Sequence, residues 1–101
     1  MKLLIIVAVK EFEKDIKQIL KKSDVKSFSY KDVTGYKDSS EDAIEKSWFA
    51  TDMNENESVL FYAFVNDEKV DFLFELVDGF NAKQETISHI HVAVLCIEKS
   101  N

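Results

Sequence analysis

The chain has 101 residues, room for one domain. Its 46% apolar and 32% charged residues exclude global disorder, and its single cysteine, Cys96, excludes a disulfide framework and a cysteine-based zinc site. A net charge of −6, with 13 lysines and no arginine, disfavours a nucleic-acid binder.

Residues 2–9 begin with Lys2 and continue as the apolar run Leu3 to Val9. Such a run resembles the core of a secretion leader. Lys10, Glu11 and Glu13 follow it at once, however, without a small-residue cleavage site. It is also far shorter than the roughly 20 residues of a membrane helix. β-branched side chains dominate, so the run reads as a buried strand, with no membrane insertion and a cytoplasmic location expected. From Glu11 to Lys22, Phe12, Ile16, Ile19 and Leu20 recur at helical spacing. Acids precede lysines in this segment, as the helix dipole favours. Residues 27–36 are dense in strand formers and read as a second strand, with Gly35 near its end.

Residues 37–58 differ in kind. Seven acids stand against Lys37 and Lys46, with Trp48-Phe49 in the middle. A helical turn over 40–46, capped by Ser40, fits part of it. The whole reads as a long excursion, and such loops are usually functional or disordered. A third strand is expected over 58–65, then a second helix capped by Asn66. In that helix Val70, Leu73, Phe74 and Val77 form the buried face and Gly79 provides the stop. The last strand is expected over 89–97.

The order β-α-β-loop-β-α-β predicts an α+β, ferredoxin-like domain over 1–101: a four-stranded antiparallel sheet with two helices on one face. Both faces of the first strand are apolar. Leu3, Ile5, Val7 and Val9 alternate with Leu4, Ile6 and Ala8. In the third strand Val59, Phe61 and Ala63 alternate with Leu60, Tyr62 and Phe64. Two helices cover one face only, and a soluble monomer does not leave so large an apolar face bare. Either the long excursion folds over it or another subunit packs sheet to sheet; the homo-oligomer is the more economical solution.

Four features resemble the nitrogen regulatory protein P-II superfamily. A short first strand runs into Lys10-Glu11-Phe12-Glu13-Lys14-Asp15-Ile16; the second strand closes with Asp32-Val33-Thr34-Gly35-Tyr36; a long loop follows; and Asn66-Asp67-Glu68-Lys69-Val70-Asp71 opens the second helix. The resemblance implies a homotrimeric signalling protein. Such a protein holds a small ligand at the clefts between subunits and presents the 37–58 loop to a protein partner, a membrane transporter being one such class. By the same resemblance, Gly35, Lys37 and Lys83 fall where the family holds its ligand. The family's glycine-rich nucleotide loop is replaced by Gly79-Phe80-Asn81-Ala82-Lys83-Gln84-Glu85-Thr86, and its C-terminal arginines are absent. Backbone amides and cations hold a triphosphate, so tight nucleotide binding is not expected and the cofactor is left open.

The topology is also similar to that of CutA-type trimers, which implies divalent-metal binding as an alternative. His89 and His91 lie two apart on an expected strand, about 6.6 Å between Cα atoms, close enough to share a metal ion. Polar residues at a strand start are the plainer account. Cys96 has the opposite parity and reads as a small buried hydrophobe. Trp48 and Phe49 in an acidic loop have the make-up of a partner-docking site, or tuck against the sheet or a neighbouring subunit. The loop acids could attract a basic partner or a cation, although solubility alone accounts for them. Asp52-x-Asn54-x-Asn56 lacks the glycine of a calcium loop. Lys37 and Lys83 also read simply as surface lysines. No catalytic constellation is legible, so an enzyme is not expected. The rival in that class is a dimeric ferredoxin-like small-molecule enzyme with His89 or His91 as general base.

Overall fold

The structure, a computed structural model, describes residues 1–36 and 55–101. Strand β1 spans Lys2–Val9, helix α1 Glu13–Lys22, β2 Ser29–Tyr36, β3 Glu55–Val65, helix α2 Val70–Ala82 and β4 His91–Cys96. Single 3₁₀ turns, Lys10–Phe12 and Asp67–Lys69, lead into the two helices. The strands form one antiparallel sheet in the order β2-β3-β1-β4, the expected ferredoxin-like arrangement. The proposed helical turn over 40–46 lies outside the described residues. β3 begins at Glu55, so the last residues of the expected 37–58 excursion belong to the sheet.

The alternation in the strands decides which side chains meet the helices. Leu4, Ile6 and Ala8 of β1 and Val59, Phe61, Ala63 and Val65 of β3 are buried against Ile16, Ile19 and Leu20 of α1 and Leu73 and Val77 of α2. Phe12 and Phe80 close the helix layer edge to face, with ring centroids 5.0 Å apart. Such a contact adds about 0.5–1.5 kcal/mol beyond the area it buries.

The opposite sheet face carries the other parity. Leu3 stands between Phe64 and Leu95 across the sheet, and Ile5 between Tyr62 and Ala93. Tyr62 is 46% exposed, Phe64 59% and Leu95 44%, so this apolar face is uncovered at the end of the sheet where β1 begins.

α1 ends in a left-handed stop with no glycine to signal it. Asp24 adopts φ 60°. The Val25 amide then donates to the Leu20 carbonyl at 2.9 Å, and the Asp24 amide to that of Lys21 at 3.1 Å. These are the paired bonds of a Schellman ending, with buried Val25 packing as its apolar contact.

Four local expectations are corrected. Asn66 holds the cap position of the second helical segment, but its side chain makes no capping bond; its carbonyl accepts from the Lys69 amide at 3.1 Å instead. Gly79 does not stop α2, which runs on to Ala82 because Phe80 packs on Phe12 and Asn81 is tied to Ile90. β4 begins at His91, not His89, because the backbone of Ile90 is bonded to Asn81. Cys96 is exposed rather than buried, lying at the strand's end, where it accepts a hydrogen bond from Lys2 Nζ at 3.2 Å.

Gly79 thus occupies an exposed helix interior without a positive φ, and an added Cβ would meet no atom within 4 Å. Glycine there costs up to about 1 kcal/mol relative to alanine. Gly79→Ala is expected to raise unfolding free energy by about that amount, read from urea denaturation midpoints.

Candidate functional site

β2 and β3 leave the sheet at the end where β1 finishes and β4 starts. Gly35 pairs with Asn56 there, and His91 with Val7. Gly35 is buried and lies on the β2 edge of the sheet. Lys83 lies on the other side, as the exposed C-cap of α2 just before β4. Gly35 and Lys83 are therefore brought to one end of the sheet but towards its opposite edges. Lys37, Trp48 and Phe49 lie outside the described residues.

Lys83 is positioned by the neighbouring asparagine. Asn81 Nδ2 donates to the Ile90 carbonyl at 2.9 Å, and the Ile90 amide donates to Asn81 Oδ1 at 2.8 Å. One side-chain amide thus takes the place of a strand partner for Ile90 and closes the 83–89 connection. The C-terminal turn of α2 and the start of β4 are held together by this pair.

A second cluster at this end was not legible in the sequence. Lys10, just past β1, forms an ion pair with Asp32 of β2 and lies 3.4 Å from Glu13. Asp32 and Glu13 hold the Lys10 ammonium above its ordinary pKa, while Lys17 and Lys10 hold the Glu13 carboxyl below its own. Lys10, Asp32, Val33, Thr34 and Glu57 line a hollow of about 280 Å³ beside the base of the excursion. The pairing depends on strand register, which no local spacing reveals.

No protein-family model and no curated protein matches the sequence. Among solved structures, the chain is similar to CPII, a nitrogen regulatory PII-like protein from Thiomonas intermedia K12 solved with ADP, AMP and bicarbonate bound. The TM-score is 0.60, over 97% of this chain and 94% of that one, at 15% sequence identity. The fold is that of a PII-like protein. Within this PII-like fold, Gly35 sits at the root of the excursion between β2 and β3, and Lys83 opens the connection into β4.

Of the two histidines, only one lies in the strand. His91 stands on the outer sheet face opposite Val7, while His89 precedes the strand. Burial lowers the pKa of His91, and the nearby His89 lowers it further. Both effects favour the neutral imidazole, the form that ligates metals. Among the described residues, no group of three or more histidine, cysteine or acidic side chains comes together to hold a metal ion. Nor is any described helix long and apolar enough to cross a membrane.

Two outcomes follow from this geometry. Asn81→Asp removes the donor to the Ile90 carbonyl and sets a carboxylate against it. Stability should fall by about 1–3 kcal/mol in urea titration. For His91, the unfolded state binds the proton more readily than the folded one. Stability is thus fully present above the ordinary histidine value of 6.5 and falls as pH drops through the lower folded pKa. Denaturation midpoints between pH 7.5 and 5.5 should fall more for the wild type than for His91→Gln.

Proposed function

We propose that this protein is a divergent PII-like regulator that assembles as a homotrimer through its uncovered sheet face. A small anion would bind in the clefts between subunits. The observation that carries this reading is the split placement of Gly35 and Lys83, at the same end of the sheet but towards opposite edges. One chain does not bring them to a single ligand. A neighbouring copy whose β4 side lies beside this copy's β2 edge does.

The chemistry of the cleft favours a small anion over a nucleotide. The similar PII-like structure was solved with ADP, AMP and bicarbonate. In this chain the connection 83–89 contains no glycine, and the protein has no arginine to fork a phosphate. Lys83, with Lys37 from the root of the excursion, supplies point charges suited to a compact anion. Occupation of the cleft then changes how the segment containing Trp48 and Phe49 is presented to a protein partner, a membrane transporter being one class with which such a regulator would work. Two histidines two residues apart around the start of β4 support a second reading, a divalent metal held by His89 and His91 and completed by a neighbouring subunit.

Trp48 is the only tryptophan, so its fluorescence reports on the segment directly. Added bicarbonate is expected to shift its emission saturably, whereas ADP and AMP are expected to bind weakly. Lys83→Ala should weaken the bicarbonate response roughly tenfold, the loss of one charge-assisted contact. No response to bicarbonate, or tight nucleotide binding unaffected by Lys83→Ala, overturns the small-anion reading. A zinc response lost in His89→Ala and His91→Ala would favour the metal instead.

A further inference from the structure

At the far end of the sheet from Gly35 and His91, α1 turns into β2 and leaves a cleft of about 590 Å³. It is lined by Lys17, Lys21, Asp24, Val25, Lys26 and Phe28. Three other hollows on the described surface measure about 250, 280 and 150 Å³. Of these four, the cleft at the α1–β2 turn is the one within the roughly 300–1,000 Å³ of ligand sites.

Its walls are fixed by packing. Val25 is held by the ending of α1, its amide 2.9 Å from the Leu20 carbonyl. Phe28 packs on Phe61 and Tyr30, at 5.6 and 6.2 Å between ring centroids. Lys17 is set in place by Glu13 Oε2 at 3.3 Å and the Tyr30 hydroxyl at 3.0 Å, with its Nζ 4.2 Å from the Tyr30 ring centre. The one carboxylate, Asp24, is shared between Lys69 at 3.4 Å and Lys26 at 3.9 Å. Lys21 makes no ion pair among the described residues. The surroundings are basic as well: residues 10–31 carry seven lysines against four acids, in a chain of net charge −6.

We propose that this cleft binds a small organic carboxylate, its apolar body against Val25 and Phe28 and its charge met by Lys21 and Lys26. Charge complementarity selects an anion. The apolar wall selects one with a hydrocarbon part. The lysines meet that charge as point charges rather than as a bidentate fork. The site is separate from the cleft of the proposed regulator, so its failure leaves that reading untouched.

The test is an amide-resolved NMR titration of the full chain with phenylacetate, using phenylacetamide and acetate as comparators. Saturable shifts are expected at Lys21, Asp24, Val25, Lys26 and Phe28. The neutral amide and acetate should each bind about tenfold more weakly, having lost the charge or the apolar contact. Lys26 has an 84% exposed side chain and Lys21 is also exposed, so Lys21→Glu with Lys26→Glu should keep the fold and weaken phenylacetate at least as much. Lys21→Gln gives the same comparison with a milder change should the double variant unfold. Shifts centred on Leu3, Tyr62 and Phe64 overturn the proposal. So does equal binding of either comparator, or affinity unchanged by loss of the lysine charges.

Discussion

A four-stranded sheet with apolar side chains on both faces has two helices to cover only one. That mismatch governs the molecule. Leu4, Ile6, Phe61 and their neighbours satisfy the helix face and fix the fold. Leu3, Ile5, Tyr62, Phe64 and Leu95 occupy the other, where strand alternation leaves them no partner within the helix layer. Exposed apolar surface of this kind is the driving force for association. In the proposed regulator, assembly and anion binding are joined by it, because Gly35 and Lys83 lie towards opposite edges of the sheet.

The two ends of the sheet differ in chemistry. One carries Gly35 and the Lys10–Asp32 pair beside the root of the excursion, with His91 and Lys83 towards the β4 edge. The other gathers the lysines of α1 around an apolar cleft. The first is built from strand ends and a connection pinned by one asparagine; the second is built on a helix ending. A chain of net negative charge thus keeps a basic surface at the helix-to-strand turn.

The periodic parts of this fold were legible in the sequence. β1 matches the apolar run from residue 2 to 9, and the buried residues of both helices are those at helical spacing. The parity of β1 and β3 marks the second apolar face in the sequence itself, and Tyr62, Phe64 and Leu95 are exposed on it. Tertiary contacts settled the rest. Gly79 reads as a stop, but Phe80 and Asn81 have partners that carry the helix past it. Asp24 takes the left-handed position that glycine usually marks. His89 falls outside β4 because Asn81 claims Ile90, nine residues away. Of the candidate site, Gly35 and Lys83 were singled out by the family resemblance rather than by their own chemistry, whereas Lys10 and Asp32 meet only through the register of the sheet.

Mass measurement of the native assembly tests the central claim most directly. Three copies of the 11.6 kDa chain are predicted to travel together, and Phe64→Glu with Tyr62→Lys is predicted to release single chains that keep their secondary structure. A wild-type protein that stays at 11.6 kDa over a wide concentration range contradicts the account, because the sheet face would then stand bare without a partner copy.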